Sequence, residues 1–118
     1  MQIQIPPLAE GEIYLCGLVD ANGDIEHTVL LPGDNDYATQ AEQFEWAKSL
    51  GGDLPNRIEQ AVMFAKFRDR FQSDAYWSNE TCHWDASCAW YQGFGGGGRG
   101  TSPKSAALRG VAVRRFKN

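Results

Sequence analysis

A chain of 118 residues has the length of one ordinary domain, and its fourteen Phe, Trp and Tyr side chains can furnish a core without help from a metal or a disulfide framework. Eleven basic against fifteen acidic residues leave a net charge of −4, which argues against nonspecific binding to nucleic acid or to an anionic membrane, because both rest on a basic surface. No apolar run approaches the ~20 residues that cross a bilayer. Met1–Pro7 lacks the basic start and apolar centre of an export signal, and an odd number of cysteines, three, suits a reducing compartment. The expected setting is a host-cell cytoplasm, with a virion as the alternative.

Glu12 to Val19 reads as a strand, Asp20-Ala21-Asn22-Gly23-Asp24 as a turn, and Ile25 to Leu31 as the returning strand of a hairpin. Pro32-Gly33-Asp34-Asn35-Asp36 breaks the strand and offers N-cap residues. The spacing of Ala41, Phe44, Ala47 and Leu50 predicts a helix over Tyr37–Leu50, closed by Gly51-Gly52. Asn56 followed by Glu59 forms a capping box for a second helix over Arg57–Phe71, with an apolar stripe of Ile58, Ala61, Val62, Phe64, Ala65, Phe67 and Phe71. Three aromatic or β-branched runs then predict successive antiparallel strands over Tyr76–Glu80, Cys88–Phe94 and Leu108–Phe116. The glycine-rich stretch Gly95–Ser105 reads as a mobile hairpin loop. This order of elements is an α+β domain spanning residues 1–118, with two helices on an antiparallel sheet that includes the N- and C-terminal strands.

Several residue groups invite chemistry. Gly93, Gly95 and Gly98 satisfy G-x-G-x-x-G, yet a phosphate loop needs a helix N-terminus behind it, and here Pro103 and a strand follow. Cys82-His83-Trp84-Asp85-Ala86-Ser87-Cys88 holds several metal-ligand types, but zinc sites draw on two short-spaced pairs and only this cluster is present, with His27 the one other histidine. The two cysteines could equally form a disulfide or remain free thiols. A Cys–His nucleophile pair is disfavoured because adjacent strand residues point to opposite faces. No metal, cofactor or catalytic residue is expected.

The run Tyr76-Trp77-Ser78-Asn79, the run Ala89-Trp90-Tyr91-Gln92-Gly93-Phe94, the closing Val111-Ala112-Val113-Arg114-Arg115 and the helix entry Leu54-Pro55-Asn56-Arg57-Ile58-Glu59 together resemble the Lcl-type C-terminal domain of unknown function found in bacterial and prophage genes. That resemblance covers roughly the latter two thirds of the chain, with Gly52-Asp53-Leu54-Pro55 standing where the family carries "WRLP". It implies a fold like that of C-type lectins and formylglycine-generating enzymes, and it places Trp90 and Phe94 in the interior. The calcium-binding "EPN", "QPD" and "WND" triplets of sugar-binding lectins are absent from the sequence. Fold alone does not transfer chemistry.

With Trp77 and Trp90 assigned to the core, strand alternation turns Tyr91 outward, out of phase with Trp90 and Phe94. Trp84 sits in a polar connection and Arg99 emerges from the glycine tract. Trp84, Tyr91 and Arg99 are therefore the expected partner-binding residues, of the types that anchor protein interfaces. Arg109, Arg114 and Arg115 read as a solvated edge with internal ion pairs. The expected function is a non-enzymatic, phage- or prophage-type module that binds a protein, such as a small inhibitor of a host enzyme or defence complex. The alternatives are a virion- or tail-associated receptor-binding protein, and a metal- or thiol-dependent enzyme centred on Cys82, His83 and Cys88.

Overall fold

In a computed structural model of the chain, which describes residues 5–117, the elements run β1 (Ile13–Val19), β2 (Ile25–Leu30), β3 (Asn35–Ala38), α1 (Gln40–Ser49), α2 (Arg57–Phe67), β4 (Ala75–Cys82), β5 (Asp85–Gly93), β6 (Arg99–Pro103), β7 (Leu108–Gly110) and β8 (Val113–Lys117). The reading of residues 1–4 as part of a segment without an export signal lies outside the described residues. The first hairpin forms as predicted. Asp20 Oδ1 accepts the amides of Asn22 and Asp24 at 2.9 and 3.0 Å, and Gly23 takes φ 84°, a left-handed conformation that glycine adopts without a Cβ clash.

The α+β class is correct, but the strands divide into two sheets. One has three strands in the order β1-β2-β8, and the other has five in the order β3-β7-β4-β5-β6. The predicted closing strand over Leu108–Phe116 is two strands. β7 joins the five-stranded sheet beside β4, in parallel, whereas β8 pairs antiparallel with β2 from Leu30↔Val113 to Glu26↔Lys117. Between them Val111 and Ala112 are buried in different cores.

Both faces of the five-stranded sheet are covered. Tyr76 packs with Leu15, Leu30, Met63, Phe94, Val111 and Val113, while its neighbour Trp77 packs with Leu31, Ala47, Leu54, Ala89 and Ala112. Burial on both faces removes the polar/apolar alternation that would otherwise mark which side chain points where.

The helices are shorter than predicted, and each is closed by a capping box: Thr39 with Glu42 for α1 and Asn56 with Glu59 for α2. Tyr37 belongs to β3, and Arg68–Arg70 is a separate 3₁₀ turn. The Asp34-Asn35-Asp36 loop does not cap α1. Asp34 and Asp36 pair with Arg109 at 2.9 and 3.4 Å, Asp34 also accepts the Tyr76 hydroxyl, and Asn35 donates to Gln43 at 2.9 Å. Burial and that hydrogen bond to Asp34 push the Tyr76 phenol up to about 12.

The predicted apolar stripes hold at Phe44, Ala47, Val62, Phe64, Phe67 and Phe71, which pack on the two cores, but not throughout. Ala41, Leu50, Ile58 and Ala65 face solvent, while Gln40, Gln43, Glu59 and Gln60 are buried. Each buried amide spends its donors on backbone carbonyls that the sheet leaves open. Gln40 donates to Ser78 O at 2.9 Å, Gln43 to Asp36 O at 2.8 Å and Leu108 O at 2.9 Å, and Gln60 to Tyr76 O at 3.1 Å. Such pairing is what makes a buried polar group tolerable.

Gly95–Ser105 is not a free loop. Residues 99–103 form β6 along β5, and the Gln92 side-chain amide donates to Gly93 O and Gly97 O at 3.0 and 2.9 Å. Gly97 has φ 82°, and a Cβ there would fall 2.6 Å from the Phe64 ring, so this turn needs glycine.

The three arginines of the closing segment are ion-paired, as expected, but Arg115 is no solvated edge. Its Nε and Nη2 grip Glu59 at 2.8 and 2.7 Å, its Nη1 reaches Asp53 at 2.7 Å, and Glu59 is 1 % exposed. Thr28 donates to the same Glu59 carboxylate at 2.6 Å.

Arg114 clasps Glu12 through Nε at 2.8 Å and Nη2 at 2.5 Å. That guanidinium, together with the Ala9 amide, lowers the Glu12 carboxyl from 4.5 to about 2. A carboxyl whose folded value is depressed contributes stability that is complete above about 4.5 and lost as pH falls through about 2. Glu12→Gln should therefore cost about 1 kcal/mol of stability at pH 7 after solvent screening, read as a modestly lower melting temperature, and that difference from the parent should shrink between pH 5 and pH 2. Melting curves across that range, read by circular dichroism, check it; a pH-independent difference would show that the pair does not stabilise the fold through charge.

Candidate functional site

The β4–β5 hairpin closes tightly. Cys82 faces Asp85, so His83 and Trp84 form a two-residue tip. The strand beyond the tip is held by Asp85, whose Oδ1 accepts the Ser87 amide at 2.9 Å and hydroxyl at 2.7 Å. These bonds, the side-chain one first, lower the Asp85 carboxyl. The tip projects Trp84, which is 59 % exposed.

Trp84 nevertheless packs against two neighbouring rings. Its ring meets the His83 ring edge-on at 4.9 Å and the Trp90 ring edge-on at 5.7 Å, arrangements that the ring quadrupoles favour. Over Trp90 lies the Arg57 guanidinium, 4.4 Å from the ring centroid. Arg57 is the first residue of α2, placed there by the Asn56 cap. Its Nε donates to Glu80 Oε1 at 3.1 Å and its backbone amide to Glu80 Oε2 at 2.7 Å. Burial would raise the Glu80 carboxyl, but the Arg57 amide and guanidinium, with a smaller contribution from Arg99, outweigh it and hold it below the ordinary range.

Arg99 opens β6, faces Gln92 across the ladder and is exposed. Its rung partner Gln92 lies two residues from Trp90 along β5, so Arg99 belongs to the Trp90 face of the sheet. Trp84 and Arg99 thus flank a single patch built on Arg57, Glu80 and Trp90.

Tyr91 is not part of it. It faces Trp77 across the β4–β5 ladder and packs against the cluster of Leu31, Ala47, Leu54, Trp77, Ala89 and Ala112. Its hydroxyl crowds Gly100, where a Cβ would lie 3.0 Å away. Tyr91 is half-buried and supports the fold, which corrects the expectation of an outward side chain. Trp90 is corrected in the opposite sense: it is half-buried beneath Arg57 and Trp84 and belongs to neither core cluster. Trp77 is fully buried as predicted, with its indole N–H donating to Ala38 O at 3.1 Å.

Cys82 is buried and Cys88 half-buried, both as free thiols. The Cys88 thiol lies 3.5 Å from Asp85 Oδ2, and it is raised above its ordinary range chiefly by burial. Among the described residues no three His, Cys, Asp or Glu side chains are grouped to hold a metal ion, and no helix is long and apolar enough to cross a membrane.

The chain matches no known family model, and no curated protein matches it. The site is therefore argued from its own residues. Of the residues in this patch, the sequence singles out Trp84 and Arg99 but not Arg57, Glu80 or the position of Trp90, because these meet only through the packing of α2 across β4 and β5. The one local signal was the Asn56–Glu59 capping box, which puts Arg57 at a helix start.

Proposed function

We propose that the chain is a non-enzymatic protein-binding module of phage or prophage type with a C-type lectin-like fold, acting as a small inhibitor of a host enzyme or defence complex. Its recognition surface is the Trp84–Trp90–Arg57–Arg99 patch. The observation that carries this reading is the state of Trp84: an indole 59 % exposed to solvent yet held between His83 and Trp90. An exposed aromatic normally costs little to leave mobile. One held in place by its neighbours loses little further side-chain entropy when a partner covers it. Trp and Arg are also the residues over-represented among interface hot spots. The α+β scaffold with a hairpin tip on a rigid sheet, and the resemblance to the Lcl-type domain, support the same reading.

The test begins with affinity capture and purification of a partner, followed by titration with the parent chain and with a Trp84→Ala, Arg99→Ala variant. Two hot-spot truncations at about 2 kcal/mol or more in total should weaken binding at least ~30-fold. The melting temperature should stay within a few degrees of the parent, because neither side chain lies in a core cluster. Equal affinity of the two proteins for that partner would place the recognition surface elsewhere.

A further inference from the structure

We propose that Cys82 and Cys88 are a redox pair that forms a reversible intramolecular disulfide across the base of the Trp84 tip. The ladder places them together. Thr81 faces Ala89; Cys82 follows Thr81 on β4, and Cys88 precedes Ala89 on β5. The Thr81–Ala89 rung sets its two Cα atoms about 4.5–5.5 Å apart, and each cysteine is one residue beyond that rung toward the tip, so the strands need only a small local closure to bring them within the roughly 4.4–6.8 Å that a disulfide spans.

The intervening residues are displaced from the ladder. Cys82 takes Asp85 as its rung partner, and Ala86, Ser87 and Cys88 have no counterpart on β4 before Ala89 resumes at Thr81. The Asp85 side chain then turns back so that Oδ2 accepts the Cys88 thiol at 3.5 Å. One residue thus faces Cys82 across the rung and touches the Cys88 sulfur. Cys16 is held apart on β1, in the three-stranded sheet.

The oxidant is a small-molecule disulfide of the glutathione type. Cys88, the more accessible thiol, loses its proton and attacks one sulfur of that disulfide, giving a mixed disulfide and one thiolate, which takes up a proton and leaves. Cys82, deprotonated in turn, attacks the Cys88 sulfur, and the second small thiol departs with the second proton. One small disulfide is reduced by two electrons to two thiols, and the two cysteine sulfurs are oxidised by the same two electrons. Burial that keeps the Cys88 thiol protonated makes the first step slow rather than unfavourable. Closing the bond removes the Cys88–Asp85 contact and ties the strand after Trp84 to the strand before it.

This inference does not depend on the proposed recognition role, and thiol counting separates the two. The full chain is equilibrated with oxidised glutathione, quenched in acid, denatured and treated with N-ethylmaleimide for mass spectrometry. The parent should fall from three modifiable thiols to one, with a Cys82–Cys88 linked peptide that dithiothreitol reverses. Cys16→Ser should still form the link and retain no modifiable thiol, and Cys88→Ser should form none within the chain. Three modified thiols at equilibrium, mixed glutathione disulfides without the internal link, or a link that involves Cys16 or a second chain would each overturn the proposal.

Discussion

Arg115→Ala should destabilise the protein by about 3–5 kcal/mol, the range for removing one partner of a buried ion pair. The cost lies less in the attraction lost than in what is left behind. Glu59 is 1 % exposed, and without Arg115 its carboxylate would keep only the Thr28 hydroxyl and the Asn56 amide as partners. Asp53 would lose its ion pair, and Leu54 O the Nη2 donor at 3.1 Å. For a domain of this size the loss corresponds to a melting temperature at least ~10 °C below the parent. A paired Arg115→Met, Glu59→Met variant should recover much of it, because burying two apolar chains avoids an uncompensated charge. Thermal and urea melts check both. An Arg115→Ala protein that melts within about 3 °C of the parent would show that solvent reaches Glu59 freely.

Trp77→Ala should be comparably severe, about 3–5 kcal/mol. The side chain is fully buried among Leu31, Ala47, Leu54, Ala89 and Ala112, and its indole N–H satisfies Ala38 O, so truncation leaves both a cavity and an unpaired carbonyl. Trp90→Ala is expected to cost about 1–2 kcal/mol, since the ring is half-buried and its chief identified contact, Arg57, keeps Glu80 as a partner. Comparing the two variants in denaturant separates core from patch; a Trp90→Ala loss equal to that of Trp77→Ala would return Trp90 to the core.

What could be read from the sequence was local. The first hairpin, the Asn56–Glu59 cap, the start of β4, the end of β5 and the burial of Trp77 follow from turn chemistry, capping geometry and short-range patterning. The misreadings share a different cause. Periodicity registers apolarity and so turns Ile58 inward, whereas Ile58 is exposed and its neighbour Glu59, legible only as a capping residue, is buried to meet Arg115, fifty-six residues away in sequence. Tyr91 and Trp90 exchanged roles because β5 is covered on both faces. β6 was hidden in a glycine tract whose order comes from Gln92 and Phe64. Of the site itself, Trp84 was visible as an aromatic in a polar turn; Arg57 and Glu80 were not, since nothing near them in sequence shows that they meet.

The division of the closing segment between the two sheets also bears on how the molecule reaches its native state. β2 finds its second neighbour only in β8, and β4 finds β7 only after β5 and β6 have been laid down. Neither sheet can be completed from a contiguous stretch of chain, so loop-closure entropy must be overcome before most of the core contacts form. Folding on the slow, millisecond-to-second side of the range for small domains is the expected outcome. Until β8 docks, β2 keeps a bare edge and Arg115 is absent from Glu59, so the ion pair and the last rung of the first sheet arrive in the same event. Amide exchange in β2, β8 and the start of α2 should accordingly report one shared opening rather than three separate ones.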